Sequence, residues 1–175
     1  SSANSGTLIL DATCAPQNIK YPQDIELLNE TREKLEEMIC RLSDENGFYR
    51  PRMYREKARK DYLALAKCRK RSAKNIRKAI KKQLQYIRLD LGYIDNLIEN
   101  NGVELRKSDA ELLDILMTVY EQQQYMYENK THTVNDRIVS ISQPYIRPIV
   151  RGKAKSPVEF GAKLDLSVDE TGMCR

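Results

Sequence analysis

At 175 residues with a net charge of +5, the chain is long enough for one domain with its own core, and no run nears the roughly 18 apolar residues of a membrane span. Its four cysteines, Cys14, Cys40, Cys68 and Cys174, lie far apart and form no CxxC pair, which suggests neither a zinc knuckle nor a disulfide framework and favours reduced thiols. Residues 51–88 carry fifteen of the 30 Lys and Arg but only two of the 25 acids, Glu56 and Asp61, so a cationic block that favours a polyanionic partner stands in an otherwise acidic chain.

The chain opens on Ser1 and stops after a strand-like pattern, and so reads as a piece of a longer protein. Gly6 to Thr13 is a short apolar run suited to a buried strand. From Gln23 to Leu42, Leu28, Leu35, Met38, Ile39 and Leu42 recur at helical spacing, with Asp24 and Glu26 in the first turn, where the helix dipole favours anions. Asn46-Gly47 ends that helix. Pro51 can open the next, in which Tyr54, Ala58, Tyr62 and Leu65 share a stripe. Ile76, Ile80, Leu84, Ile87, Leu91, Ile94 and Ile98 then form a heptad-like seam ending at Asn101-Gly102. Ser108 and Glu111 have the spacing of a capping box for a fourth helix carrying Leu112, Leu116, Val119, Gln123 and Met126. The third and fourth helices can pair antiparallel across their short connection, giving a bundle of about four helices.

After Thr131 the period changes from about 3.6 to 2. Arg137 to Ser142 alternates weakly, and Val158 to Val168 alternates cleanly, so both read as strands. Between them lies "QPYIRPIVRGKAKSP", an exposed loop by composition, and Asp169-Glu170-Thr171-Gly172 reads as a hairpin turn. The domain organisation is therefore 1–22 for the first strand, 23–130 for a helical insertion that is basic over 51–88, and 131–175 for the second and third strands.

The run "TLILDATCAP" breaks off at Asp11. An Asp at a strand end can simply turn the chain. It can equally present a carboxylate to a divalent cation beside a phosphodiester, as polynucleotidyl transfer requires.

The stretches "LILDATCAPQNIKYPQDIELLNETREKLEEMI" and "RIVSISQPYIRPIVRGKAKSPVEFGAKLDLSV" together resemble the catalytic region of bacterial insertion-sequence transposases of the DDE class. The resemblance spans essentially the whole chain and is most specific at the "DAT" and "EFGAK" blocks. It implies an α+β, mostly helical fold with a partial RNase H-like core of three strands and a large helical-bundle insertion after the first. It implies that Asp11 is the first catalytic, metal-binding acid and that Mg²⁺ or Mn²⁺ serves cleavage at the transposon end and transfer to target DNA. The second Asp and the Glu of such enzymes lie beyond the third strand, so the fragment alone is expected to be inactive and to bind no metal. Asp165 and Asp169 read as the outward face of a strand and a turn residue instead. The resemblance further implies DNA as partner, a homodimer or higher assembly in the active complex, a bacterial cytoplasmic, nucleoid-associated setting, and neither a membrane nor a small-molecule substrate.

On a helical projection, Lys67, Lys70, Lys74, Lys78 and Lys81 group opposite Ile76, Ile80 and Leu84, with Arg71, Arg77 and Lys82 on the flanks. Such a run can be a plain solvated face, but the scarcity of compensating acid argues for contact with DNA phosphates. Arg147, Arg151, Lys153 and Lys155 form a second DNA-contacting candidate in the loop between the later strands. Tyr120, Tyr125 and Tyr127 can stack on bases, but on an amphipathic helix they read first as packing residues, and His132 has no Cys or His neighbour at ligand spacing. The alternative to a transposase fragment is a non-catalytic helical module that binds nucleic acid or another chain, with the seam from Ile76 to Ile98 as its pairing surface.

Overall fold

The computed structural model describes the backbone of residues 11–16, 24–150 and 158–166, and side chains over 24–148. Helix α1 spans Asp24–Glu45 and is the central element. Leu28, Leu35, Met38, Ile39 and Leu42 are buried along it as their spacing requires, joined by Ile25 and Leu27. It ends in a Schellman motif: the Gly47 N–H donates to the Asp44 carbonyl at 3.3 Å and the Phe48 N–H to the Ser43 carbonyl at 2.8 Å. Gly47, at φ 70°, supplies the left-handed residue that this closure needs.

Helix α2 spans Arg55–Ala66 and buries Ala58 and Leu65. It starts four residues after Pro51, whose carbonyl accepts from the Met53 N–H at 2.9 Å in a tight turn, so the proline does not occupy the first helical turn. Helix α3, Ala73–Asp95, begins at a Ser72 cap whose hydroxyl accepts from the Asn75 N–H at 3.3 Å. It runs on into a wider π-type turn, Asn96–Asn100, before Gly102 at φ 67° ends it. The amide side chain of Gln83 on α3 donates to the Ala58 carbonyl at 3.0 Å, tying α2 to α3.

Helix α4 spans Lys107–Asn129, and its cap is Arg106 without a side-chain bond, not Ser108. The reason is tertiary. Arg106 pairs with Glu45 at 2.9 Å and Arg41 with Asp109 at 2.7 Å, so the end of α1 fixes the start of α4 and takes Ser108 into its first turn. One core joins Leu28, Leu35 and Ile39 of α1, Leu84, Ile87 and Ile94 of α3, and Leu116 and Val119 of α4. The middle of the α3 seam, Leu84, Ile87 and Ile94, is therefore buried inside the chain, chiefly against α1, while Ile76, Ile80, Leu91 and Ile98 are half-buried.

The mostly helical character holds, but the partial RNase H-like core of three strands is not present among the described residues. The second expected strand, 137–142, is irregular chain. Ile138, Val139 and Ile141 are buried there, but the Ile138 N–H donates to the side chain of Gln122 at 2.9 Å, and Arg137 binds Asp24. Its weak alternation thus reflects packing against helices. The strands that do pair are short and antiparallel: β1 (Asp11–Pro16), β2 (Arg147–Val150) and β3 (Val158–Leu166), in the order β1-β3-β2. β2 falls within the stretch expected to be loop, and β1 takes up the end of the apolar run expected to form it, whose residues before Asp11 lie outside the described ones.

Candidate nucleic-acid interface

The basic block folds as α2, the turn after it, and the first half of α3. On α3, Lys74, Lys78, Lys81, Gln85 and Arg88 are all exposed and alternate steps of four and three, so they lie along one stripe about 21 Å long at 1.5 Å per residue. The four cations of this row have no hydrogen bond or ion pair among the described residues. Arg88 extends the row by one turn beyond the residues singled out in the sequence; the same four-three spacing that picks out Lys74, Lys78 and Lys81 reaches it.

The other candidates divide into free and engaged groups. Lys67 and Lys70 are exposed at the end of α2 and in the turn, where the Lys70 carbonyl accepts from the Cys68 thiol at 3.0 Å. Arg71 is exposed, and its guanidinium donates to the Ala66 carbonyl at 2.9 Å, closing the turn between the two helices. Arg77 stacks over the ring of Tyr127 on α4, 4.0 Å from its centroid. Lys82 pairs with Asp61 at 2.6 Å, and the Tyr86 hydroxyl donates to the same carboxylate at 2.9 Å. Burial works against the charge on Asp61, but the bonds from Lys82 and Tyr86 outweigh it and hold its pKa below the usual carboxylate value. Burial, followed by the bond to Asp61, pushes the Tyr86 phenol up to about 12. Lys82 therefore serves the α2–α3 contact, and Arg77 the α3–α4 contact.

A shallow groove of about 230 Å³ lies between α2 and α3, lined by Ala64, Leu65, Cys68 and Ala79 together with Lys78 and Lys82. Small residues let the helices lie close while the long cations reach past them.

The second group of candidates is only partly placed. Arg147 is half-buried, and its guanidinium donates to the carbonyls of Pro144 and, at 3.1 Å, Ile146. It thereby braces the approach to β2. Arg151, Lys153 and Lys155 lie outside the described residues. Tyr120 and Tyr127 pack on the core, Tyr125 is exposed, and the carbonyl of His132 accepts from Arg137 at 3.1 Å.

Asp11 is the first described residue of β1, paired with Leu166, while Asp165 pairs with Ala12. The two acids stand on different rungs. Mg²⁺ or Mn²⁺ needs several oxygen ligands, and no group of three acidic, His or Cys side chains that could hold a metal occurs among the described residues. The side chain of Asp11 lies outside the described ones. No helix among the described residues is long and apolar enough to cross a membrane.

No family model matches the chain, and no curated protein or solved structure gives a significant match to it.

Proposed function

We propose that the helical domain is a DNA-backbone-binding unit, and that it belongs to a transposase-type protein of the DDE class. The observation that carries the first part is the row of Lys74, Lys78, Lys81 and Arg88 on α3, exposed and without acidic partners. Four cations along about 21 Å of a straight helix match a polyanion better than a compact acidic ligand, because duplex DNA carries one negative charge per about 1.7 Å of its axis. Contacts of this kind hold DNA in place without reading its sequence. The second part rests on the "DAT" and "EFGAK" blocks, in which Asp11 would be one acid of a metal-binding set.

The test is duplex binding measured across a salt series, with Lys74, Lys78, Lys81 and Arg88 all changed to Gln. All four side chains are exposed and Gln is a good helix former, so the fold is expected to survive. Binding should weaken, and the slope of log affinity against log salt should flatten by about 3 to 4. An unchanged slope rejects the row as the interface.

A further inference from the structure

The α3 row leaves unexplained the segment that leads into α2, "FYRPRMYR", residues 48–55. Phe48, Tyr49 and Tyr54 are all exposed there, and Tyr49 has no cover at all. An aromatic ring left in water forgoes a large apolar contact, and three on one loop call for an occupant.

The loop that carries them is held at four points. The Phe48 N–H closes the cap of α1. The Arg50 guanidinium donates twice to the Asp44 carboxylate, at 2.8 and 2.5 Å. Met53 packs on the core, and the Tyr93 hydroxyl of α3 donates to the Arg52 carbonyl at 3.3 Å. A braced loop can present its rings at little cost in ordering.

Around Tyr54 the charge is positive. The Arg52 guanidinium lies 5.7 Å and the Lys57 ammonium 5.9 Å from the centre of its ring. These cations flank a hollow of about 560 Å³ lined also by Met53, Arg55, Glu56 and Lys60. Its size falls within the range of sites that take small organic groups. A planar ring, a wall of cations and an open mouth fit a base stacked on the tyrosine with its phosphate held by Arg52, Lys57 or Lys60.

From this geometry we infer that the α1–α2 loop is a stacking site for unpaired nucleotides, with Tyr54 and Tyr49 as its platforms. The inference rests on the DNA-binding reading above and narrows it to single-stranded segments at this place. Duplex DNA keeps its bases stacked on one another and cannot use the rings, so the two surfaces divide the labour: α3 holds the backbone and the loop takes bases that are unpaired.

The experiment compares a 15-nucleotide oligothymidine, the same chain length with abasic sites, and a duplex, each against wild type and against Tyr49→Ala with Tyr54→Ala. Far-UV circular dichroism confirms that the variant is folded. Loss of the rings should weaken the oligothymidine about five- to hundred-fold and leave the abasic chain and the duplex within two-fold. Wild type should prefer oligothymidine to the abasic chain. Equal effects on all three ligands, or no effect on any, overturn the stacking site and leave duplex binding by α3 standing. Wild type that binds none of the three ligands overturns both readings.

Discussion

Arg32, Glu36 and Asp90 are each at least 97 % buried, which is rare for charged side chains. Arg32 donates to Glu36 and, at 2.9 Å, to Asn29, and Arg55 reaches Glu36 at 3.1 Å. Asp90, facing them from α3, has a buried carboxylate oxygen with no partner. Burial pushes its pKa up to about 7, with repulsion from Glu36 adding to it and Arg32 and Arg55 offsetting part of the rise. The sign of the consequence follows from proton counting. Between pH 4 and 7 the folded state holds a proton on Asp90 that the unfolded chain has released, so stability falls as pH rises and levels off above 7. Asp90→Asn removes the charge, and should gain stability on the order of 4 kcal/mol at pH 8, shrinking towards nothing near pH 4. Urea denaturation of both proteins across that range checks it; parallel curves would mean that Asp90 stays ionised in the folded protein. Little of this was legible in the sequence. Arg32 and Glu36 stand at i and i+4, the usual mark of an exposed helix pair, and only the packing of α3 on α1 encloses them.

At the level of elements, legibility followed the strength of the period. The helices were readable because Leu28, Leu35 and Ile39, then Leu84, Ile87 and Ile94, keep one buried face over many turns. β3 was readable because Val158 to Leu166 alternates without a break. Four-residue β2 was hidden by Pro148, which argues against a strand except at an edge, and the order β1-β3-β2 gives β2 an edge place. A strand period also says nothing about which sheet the strand joins, which is why an RNase H-like core could be expected and not be present among the described residues. The cap at Gly47 offers an element-scale test. A Cβ there meets nothing within 4 Å, so Gly47→Ala acts through the backbone alone. With φ at 70°, it should cost about 1 kcal/mol in denaturation midpoint analysis, and Gly47→Asn clearly less. Equal stability of all three proteins would show that the α1 end relaxes to another closure.

For the whole molecule, the decisive feature is that the helix bundle closes on itself while its charge stays divided. A heptad-like seam such as that of α3 can be satisfied by a second chain or by the rest of its own chain, and the pattern alone does not distinguish these. Here α1 and α4 supply the cover, and Ile87 and Ile94 have no exposed surface left to offer a partner. Two consequences can be measured on the protein without DNA. Its thermal midpoint should stay constant over a hundredfold range of concentration, because the core is completed within one chain and association adds nothing to it. Ile87→Ala should then cost roughly 2 to 5 kcal/mol, the usual penalty for emptying a closed core site, again without concentration dependence. A midpoint that climbs with concentration, or an Ile87→Ala cost that shrinks at high concentration, would mean that the seam is shared between chains.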